Sequence, residues 1–166
     1  MSNNNSVVSS EYTVPDTFLE FHRLLNDEVD TVQASDGEIT LKKHGNNNHW
    51  IGAFPESYVT GEKGEHAEDY PIAVIRTPNI SDVRRGYRFG EEFLTVTLEV
   101  YGVRAEHPAR FISKAKHVIM ENRDRLNSAG LYQISFEQSN NDMVMRGENK
   151  VHEMSIPITM RRVSCQ

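Results

Sequence analysis

The sequence predicts an α+β domain, a mainly antiparallel sheet with a long central helix packed on one face, plus an N-terminal helix and long loops. Three observations predict it. In residues 93–103, Leu94, Val96, Leu98 and Val100 alternate strictly with Thr95, Thr97, Glu99 and Tyr101, the period of a strand with one buried face. Directly afterwards, Phe111, Ile112, Ala115, Val118, Ile119 and Leu126 fall at helical spacing. Near the C-terminus, Met154, Ile156, Ile158 and Met160 alternate again.

Taken in order, residues 1–14 are rich in Ser and Asn and read as a flexible arm, with residues 15–166 forming one domain. Thr17-Phe18-Leu19-Glu20 has the capping-box pattern that opens a helix, and Phe18, Phe21, Leu25 and Val29 make its apolar stripe. Asp36-Gly37 lies between strand-like pieces at 31–34 and 38–42 and reads as a hairpin turn, since glycine tolerates positive φ. Residues 44–70 are a polar, glycine-bearing insertion, expected to be largely mobile or to order on a partner, with short strand fragments near 50–54 and 57–60. Residues 71–77, "PIAVIRT", are a strand that a proline can start.

At the joint between the alternating strand and the helix sits Glu106-His107-Pro108. Pro108 suits the first helical position, Glu106 the positive end of the helix dipole, and His107 the N-cap or solvent. Arg123 and Arg125 suit the last turn, with Gly130 just beyond. Residues 131–138 form a strand, 139–150 a hairpin-like excursion and 151–162 the closing strand. Pro157 has no N–H, which predicts an edge strand or pairing on one side only at that point.

Composition bounds the function. A chain of 166 residues can bury a core without staples. The hydrophobic fraction of 37% and mean hydropathy of −0.58 suit a fold with long polar arms better than a compact enzyme core. A net charge of −6 argues against general attraction to nucleic acid or anionic membranes. No apolar run approaches the ~18 residues that span a bilayer. The N-terminus lacks the basic and apolar regions of a signal peptide, so a protein kept in solution is expected. Cys165, the single cysteine, excludes an internal disulfide and a cysteine-rich zinc site.

Catalytic and metal motifs are incomplete. His66-Ala67-Glu68 echoes the His-x-Glu of zinc deaminases, which also need a Pro-Cys-x-x-Cys that this chain lacks. His44 and His49 flank three asparagines without a defined third ligand. Glu68-Asp69 and Glu91-Glu92 are adjacent in sequence and read as solvated loop charges. No nucleophile elbow, phosphate loop or dinucleotide fingerprint occurs. No enzymatic activity, metal or cofactor is expected. The cluster Arg84, Arg85, Tyr87, Arg88 and Phe89 mixes cations with aromatics. It reads either as an ordinary solvated loop or as a contact with another subunit or partner, since arginine and aromatic residues are enriched at interfaces.

The series "PIAVIRT", "EEFLTVTLEVYG" running into "HPARFISKAKHVIMENRDRL", "GLYQISFEQSNN" and "KVHEMSIPITMRR", with the leading helix at 18–29, resembles the tail terminator proteins of long-tailed phages and archaeal tailed viruses. These are also called tail completion or tail-to-head joining proteins. The resemblance is one of element order, ending on a basic patch. It implies a homo-oligomeric ring, usually of six, that caps the tail tube protein and meets the head–tail connector at the head–tail junction of the virion, after assembly in the host cytoplasm. DNA would pass through the lumen without specific binding, and no catalytic residue carries over. The arm and the 44–70 insertion depart from the family pattern. Other readings are another neck or tail component (a head completion or tail adaptor protein), a monomeric binding module, or a small metal enzyme built on His44, His49 and His66.

Overall fold

The computed structural model describes residues 18–44, 48–52, 64–77, 84–85 and 91–163. In chain order these form α1 (Leu19–Glu28), β1 (Thr31–Ala34), β2 (Gly37–Thr40), β3 (Trp50–Ile51), β4 (Ile72–Arg76), β5 (Arg84–Arg85) and β6 (Glu91–Gly102). Then follow α2 (Glu106–Glu121), α3 (Arg123–Ser128), β7 (Leu131–Phe136), β8 (Asn140–Arg146) and β9 (Asn149–Val163). Strands β1 and β2 make a separate hairpin, and the other seven form one sheet in the order β3-β4-β6-β9-β7. Along the flanks of the central pair, β5 joins β6 beside β4, and β8 joins β9 beside β7. All pairs are antiparallel except β3–β4. The α+β class with α2 laid on one face of a mainly antiparallel sheet is as the sequence predicts.

The central pair is held by matched alternation. Leu94, Val96, Leu98 and Val100 of β6 face Met160, Ile158, Ile156 and Met154 of β9, so both apolar rows point to the same side. Onto that side pack Phe111, Ile112, Ala115, Val118 and Ile119 of α2, and Phe21, Leu24 and Leu25 of α1. The α1 stripe of Phe18, Phe21, Leu25 and Val29 is buried as predicted, and the predicted capping box rests on a residue that is not described. Thr17 lies outside the described residues, and the Glu20 carboxylate turns to Arg23 at 2.8 Å. A smaller apolar cluster of Ile51, Tyr70, Ile72, Val74 and Val151 covers part of the opposite face, so β4 is buried on both sides.

Four expectations need correction. The hairpin turn is Ser35-Asp36, one residue earlier than predicted; Gly37 (φ +119°) already pairs with Ala34, and only glycine takes that conformation without strain. Pro108 is the third residue of α2, not the first. The helix does not run unbroken to Leu126: Asn122, whose side-chain amide donates back to the Val118 carbonyl at 2.8 Å, interrupts it. Finally, β9 is central, not an edge. Residues Ile156 and Pro157 lie in the gap between the β7 and β8 pairings. The Pro157 carbonyl accepts from Glu137 N–H on that side, and a residue's N–H and C=O point the same way in a strand. The missing donor therefore falls in the gap, and pairing to β6 is unaffected. One-sided pairing at Pro157 is what the sequence led us to expect.

Within the 44–70 insertion, the strand fragment expected near 50–54 is present as β3. Trp50 and Ile51 are fully buried, and β3 runs parallel to β4. The Trp50 indole donates to the Val29 carbonyl at 2.8 Å, and the Asn26 amide oxygen accepts from the His49 and Trp50 N–H groups at 2.7 and 3.0 Å. His22 Nε2 donates to the Trp50 carbonyl at 2.6 Å. Residues 45–47 and 53–63, including the second strand fragment near 57–60, lie outside the described residues.

This tie is pH-sensitive. Burial holds the His22 imidazole below the usual histidine range, against a smaller opposing effect of the Trp50 carbonyl; burial acts on His49 in the same direction. An unfolded histidine titrates near ~6.5, so the unfolded chain takes up protons first, and stability falls as pH drops below that value. Urea midpoints measured from pH 7.5 to 5.5 are expected to decline, and to decline less in His22→Gln. Equal slopes in the two proteins would contradict this role.

Candidate functional site

The sheet assembles an arginine end that its strands create from distant segments. Register places Arg84 opposite Phe93, Phe93 opposite Arg161, and Arg161 opposite Tyr132. The next row runs Arg85, Glu92, Arg162, Leu131. Four arginines thus occupy two adjacent rows across four strands. Phe93 is nearly half exposed, and the Arg161 guanidinium lies 6.0 Å from the centre of the Tyr132 ring, a cation–π distance. Of the five residues singled out in the sequence, Arg84 and Arg85 form β5, while Tyr87, Arg88 and Phe89 lie outside the described residues. Sequence reading did not single out Phe93, Tyr132, Arg161 and Arg162. The signal was available: pairing the alternating rows of β6 and β9 antiparallel brings Arg161 and Arg162 to Phe93 and Glu92.

The strand-to-helix corner is polar and ordered, which corrects its reading as a solvated cap. His107 is buried, and its Nε2 stands 3.1 Å from both carboxylate oxygens of Asp36. Arg104 adds an ion pair to Asp36 at 3.3 Å. The Glu106 carboxylate accepts from both the backbone N–H and the hydroxyl of Ser35. Bonding to His107 holds the Asp36 carboxyl below its usual range, and bonding to Ser35 does the same for Glu106. Gly102 lets the strand end pass close to the helix start: a Cβ there would stand 3.0 Å from Pro108 Cδ and 3.2 Å from His107 Cβ, tighter than ordinary contact. Every group at the corner is committed to clamping the β1–β2 hairpin onto the start of α2. Its chemistry is that of a fastener.

A third polar group lies on the sheet face turned away from α2. The buried Glu99 carboxylate accepts from Arg76 Nε at 2.6 Å and from the Tyr101 hydroxyl at 2.7 Å. Glu153 stands 3.3 Å from the same hydroxyl, and register sets Asp142 directly opposite Glu153. Burial, then the bond and charge of Glu99, push the Tyr101 hydroxyl far above its usual range. Burial, then the charges of Glu99 and Asp142, raise the Glu153 carboxyl. Both oxygens of Glu99 are engaged, so this carboxylate is held in place rather than poised for proton transfer. The side is rich in negative charge, with Arg76 as its close cation.

The histidines of the metal reading are dispersed in role. His44 bridges to Asn48 through the backbone, His49 is buried beside α1, and His66 opens the 3₁₀ turn Ala67–Asp69. Asp69 caps that turn, accepting from the N–H groups of Gly64 and His66 at 2.7 and 3.2 Å. Among the described residues, no group of three His, Cys, Asp or Glu side chains is placed to hold a metal ion. No helix among them is long and apolar enough to cross a membrane. Compared with known proteins, the chain matches no family model and no curated protein.

Proposed function

We propose that the chain is a structural protein of a tailed virus, assembling into a ring that closes the finished tail tube and joins it to the head connector. The observation that carries this reading is the arginine end of the sheet, with Arg84 and Arg85 in register with Arg161 and Arg162 on a chain of net charge −6. A cationic end on an acidic protein makes a directional contact with the acidic surface of the next copy. Head-to-tail contacts of that kind close into rings. The order of elements from β4 to β9 supports the reading, being the order on which the resemblance to tail terminator proteins rests. The acidic balance suits a lumen through which DNA slides without sticking. The partners are then further copies of the chain, six in all by that resemblance, the tail tube protein and the head–tail connector. The reading includes no reaction, metal or cofactor.

The test is charge reversal of Arg84, Arg85 and Arg88 to Glu together. The variant is expected to keep the wild-type melting temperature but to lose the ring, measured as particle mass in solution. A variant that still forms particles of wild-type mass and joins heads to tails would overturn the interface.

A further inference from the structure

We infer that two copies of this chain pair through β8, edge to edge and antiparallel, with Val144 on the twofold axis and Asp142 facing Arg146 of the other copy. The inference is independent of the ring reading, because a twofold contact joins two copies whether or not each also belongs to a ring.

The outer edge of β8 carries no partner strand among the described residues. Among the described residues β8 pairs with β9 alone, over an unbroken register from Asn140↔Ser155 to Arg146↔Asn149. Of the usual edge guards it has charge, at Asp142 and Arg146, but no proline, no lysine and no bulge. Between those charges Met143, Val144 and Met145 are 51%, 46% and 56% exposed, three consecutive apolar residues on a strand that, among the described residues, is paired on one side only.

The direction of the backbone groups follows from β9. Pro157 and the other odd-numbered residues of β9 point their N–H and C=O away from β6, so Val151, Glu153 and Ser155 bond to Val144, Asp142 and Asn140. Met143 and Met145 then point theirs outward. In agreement, the Met143 N–H is taken by the neighbouring Asp142 carboxylate at 2.7 Å rather than by β9.

The sequence along this edge, Asp142-Met143-Val144-Met145-Arg146, is self-complementary when reversed. Laid antiparallel on itself about Val144, it sets Met143 opposite Met145 as hydrogen-bonded pairs, the Met143 N–H passing from its own Asp142 carboxylate to the Met145 carbonyl of the other copy and releasing that carboxylate for Arg146. Val144 opposite Val144 and Asp142 opposite Arg146 are then the non-hydrogen-bonded pairs, where side chains come closest. The neighbouring registers are worse. Centring on Asp142 opposes two aspartates, centring on Met143 sets Asp142 against Val144, and centring on Met145 sets Asp142 against Glu148.

A second observation points to the same cation. Asp142 sits opposite Glu153, with Glu99 close by, an arrangement of like charges that costs stability within one copy. Arg146 of the second copy would arrive on this face beside Asp142 and supply positive charge. Within its own copy the Arg146 side chain bonds to the Tyr70 hydroxyl.

Cross-linking tests the register. In a Cys165→Ser background, which removes the only native thiol, Val144→Cys is expected to give a disulfide-linked dimer on mild oxidation. Non-hydrogen-bonded partners lie about 4.5 Å apart at Cα, within the range a disulfide spans. Met143→Cys, which faces Met145, should not link to itself. Sedimentation should show Asp142→Arg or Arg146→Asp alone weakening the twofold contact by about tenfold or more, with the double exchange restoring it. Val144→Cys that stays unlinked, self-linking by Met143→Cys, or a double exchange no better than either single change would overturn the inference. Position 144 is exposed, so the cross-link remains decisive even if a charge variant folds poorly. A ring without the cross-link would refute this pairing and leave the proposed function standing; a cross-linked dimer without a ring would do the reverse.

Discussion

Ile119→Asp is expected to remove most of the stability of the fold. Ile119 is fully buried in the cluster that α2 shares with β6 and β9. Truncating a buried isoleucine costs about 2–5 kcal/mol, and a carboxyl left without partners adds about 1–3 kcal/mol more. Against a typical total of about 5–15 kcal/mol, such a loss leaves the chain partly unfolded at growth temperature. Thermal unfolding followed by circular dichroism is the check, with Ile119→Val as a mild control costing about 0.5–1.5 kcal/mol. A wild-type melting temperature in Ile119→Asp would mean that α2 does not lie on the sheet.

Trp50→Ala is expected to be nearly as costly, although Trp50 belongs to a two-residue strand. Its ring is fully buried and its indole N–H is bonded to the Val29 carbonyl just past α1. Loss of a buried tryptophan costs about 3–5 kcal/mol, and here it also leaves a helix-end carbonyl without its donor. Trp50→Phe separates the two effects, since it keeps most of the apolar volume and loses the bond. Urea unfolding is expected to rank the proteins wild type, Trp50→Phe, Trp50→Ala. Trp50 is the sole tryptophan, so its fluorescence reports local exposure in the wild type, and circular dichroism must follow the variants. An unfolding midpoint unchanged in Trp50→Ala would show that β3 is dispensable.

The same two residues mark what the sequence could and could not reveal. Ile119 was legible because a 16-residue helix repeats its apolar face often enough to show the period. At Trp50 the short strand was legible but the full burial was not, because a strand of two residues has no period, and its burial comes from α1 and β4 rather than from its neighbours. His107 was misread for a related reason. Nothing within ten residues of it predicts burial; Asp36, 71 positions earlier, closes over it once the hairpin docks. Pro157 shows the opposite case, a local rule that holds for the hydrogen bond and fails for the strand. The proline does lack a donor on one side, but the β7–β8 break supplies that gap in the middle of the sheet.

The candidate interface was half legible. Arg84 and Arg85 stand out as a basic cluster in the sequence, but their alignment with Arg161 and Arg162 exists only through strand register. The β8 segment was legible as a hairpin-like excursion, but which of its edges lacks a partner was not. Its self-complementarity matters only once the outer edge is seen to have no partner strand among the described residues.

The central claim, that the chain terminates a viral tail and joins it to the head, is tested most directly by electron microscopy of particles assembled without it. The account predicts tail tubes of irregular length, with no ring at the upper end and no heads attached. Restoring the chain should restore uniform length and a ring at the junction. Tails of normal length carrying heads in its absence would contradict the account.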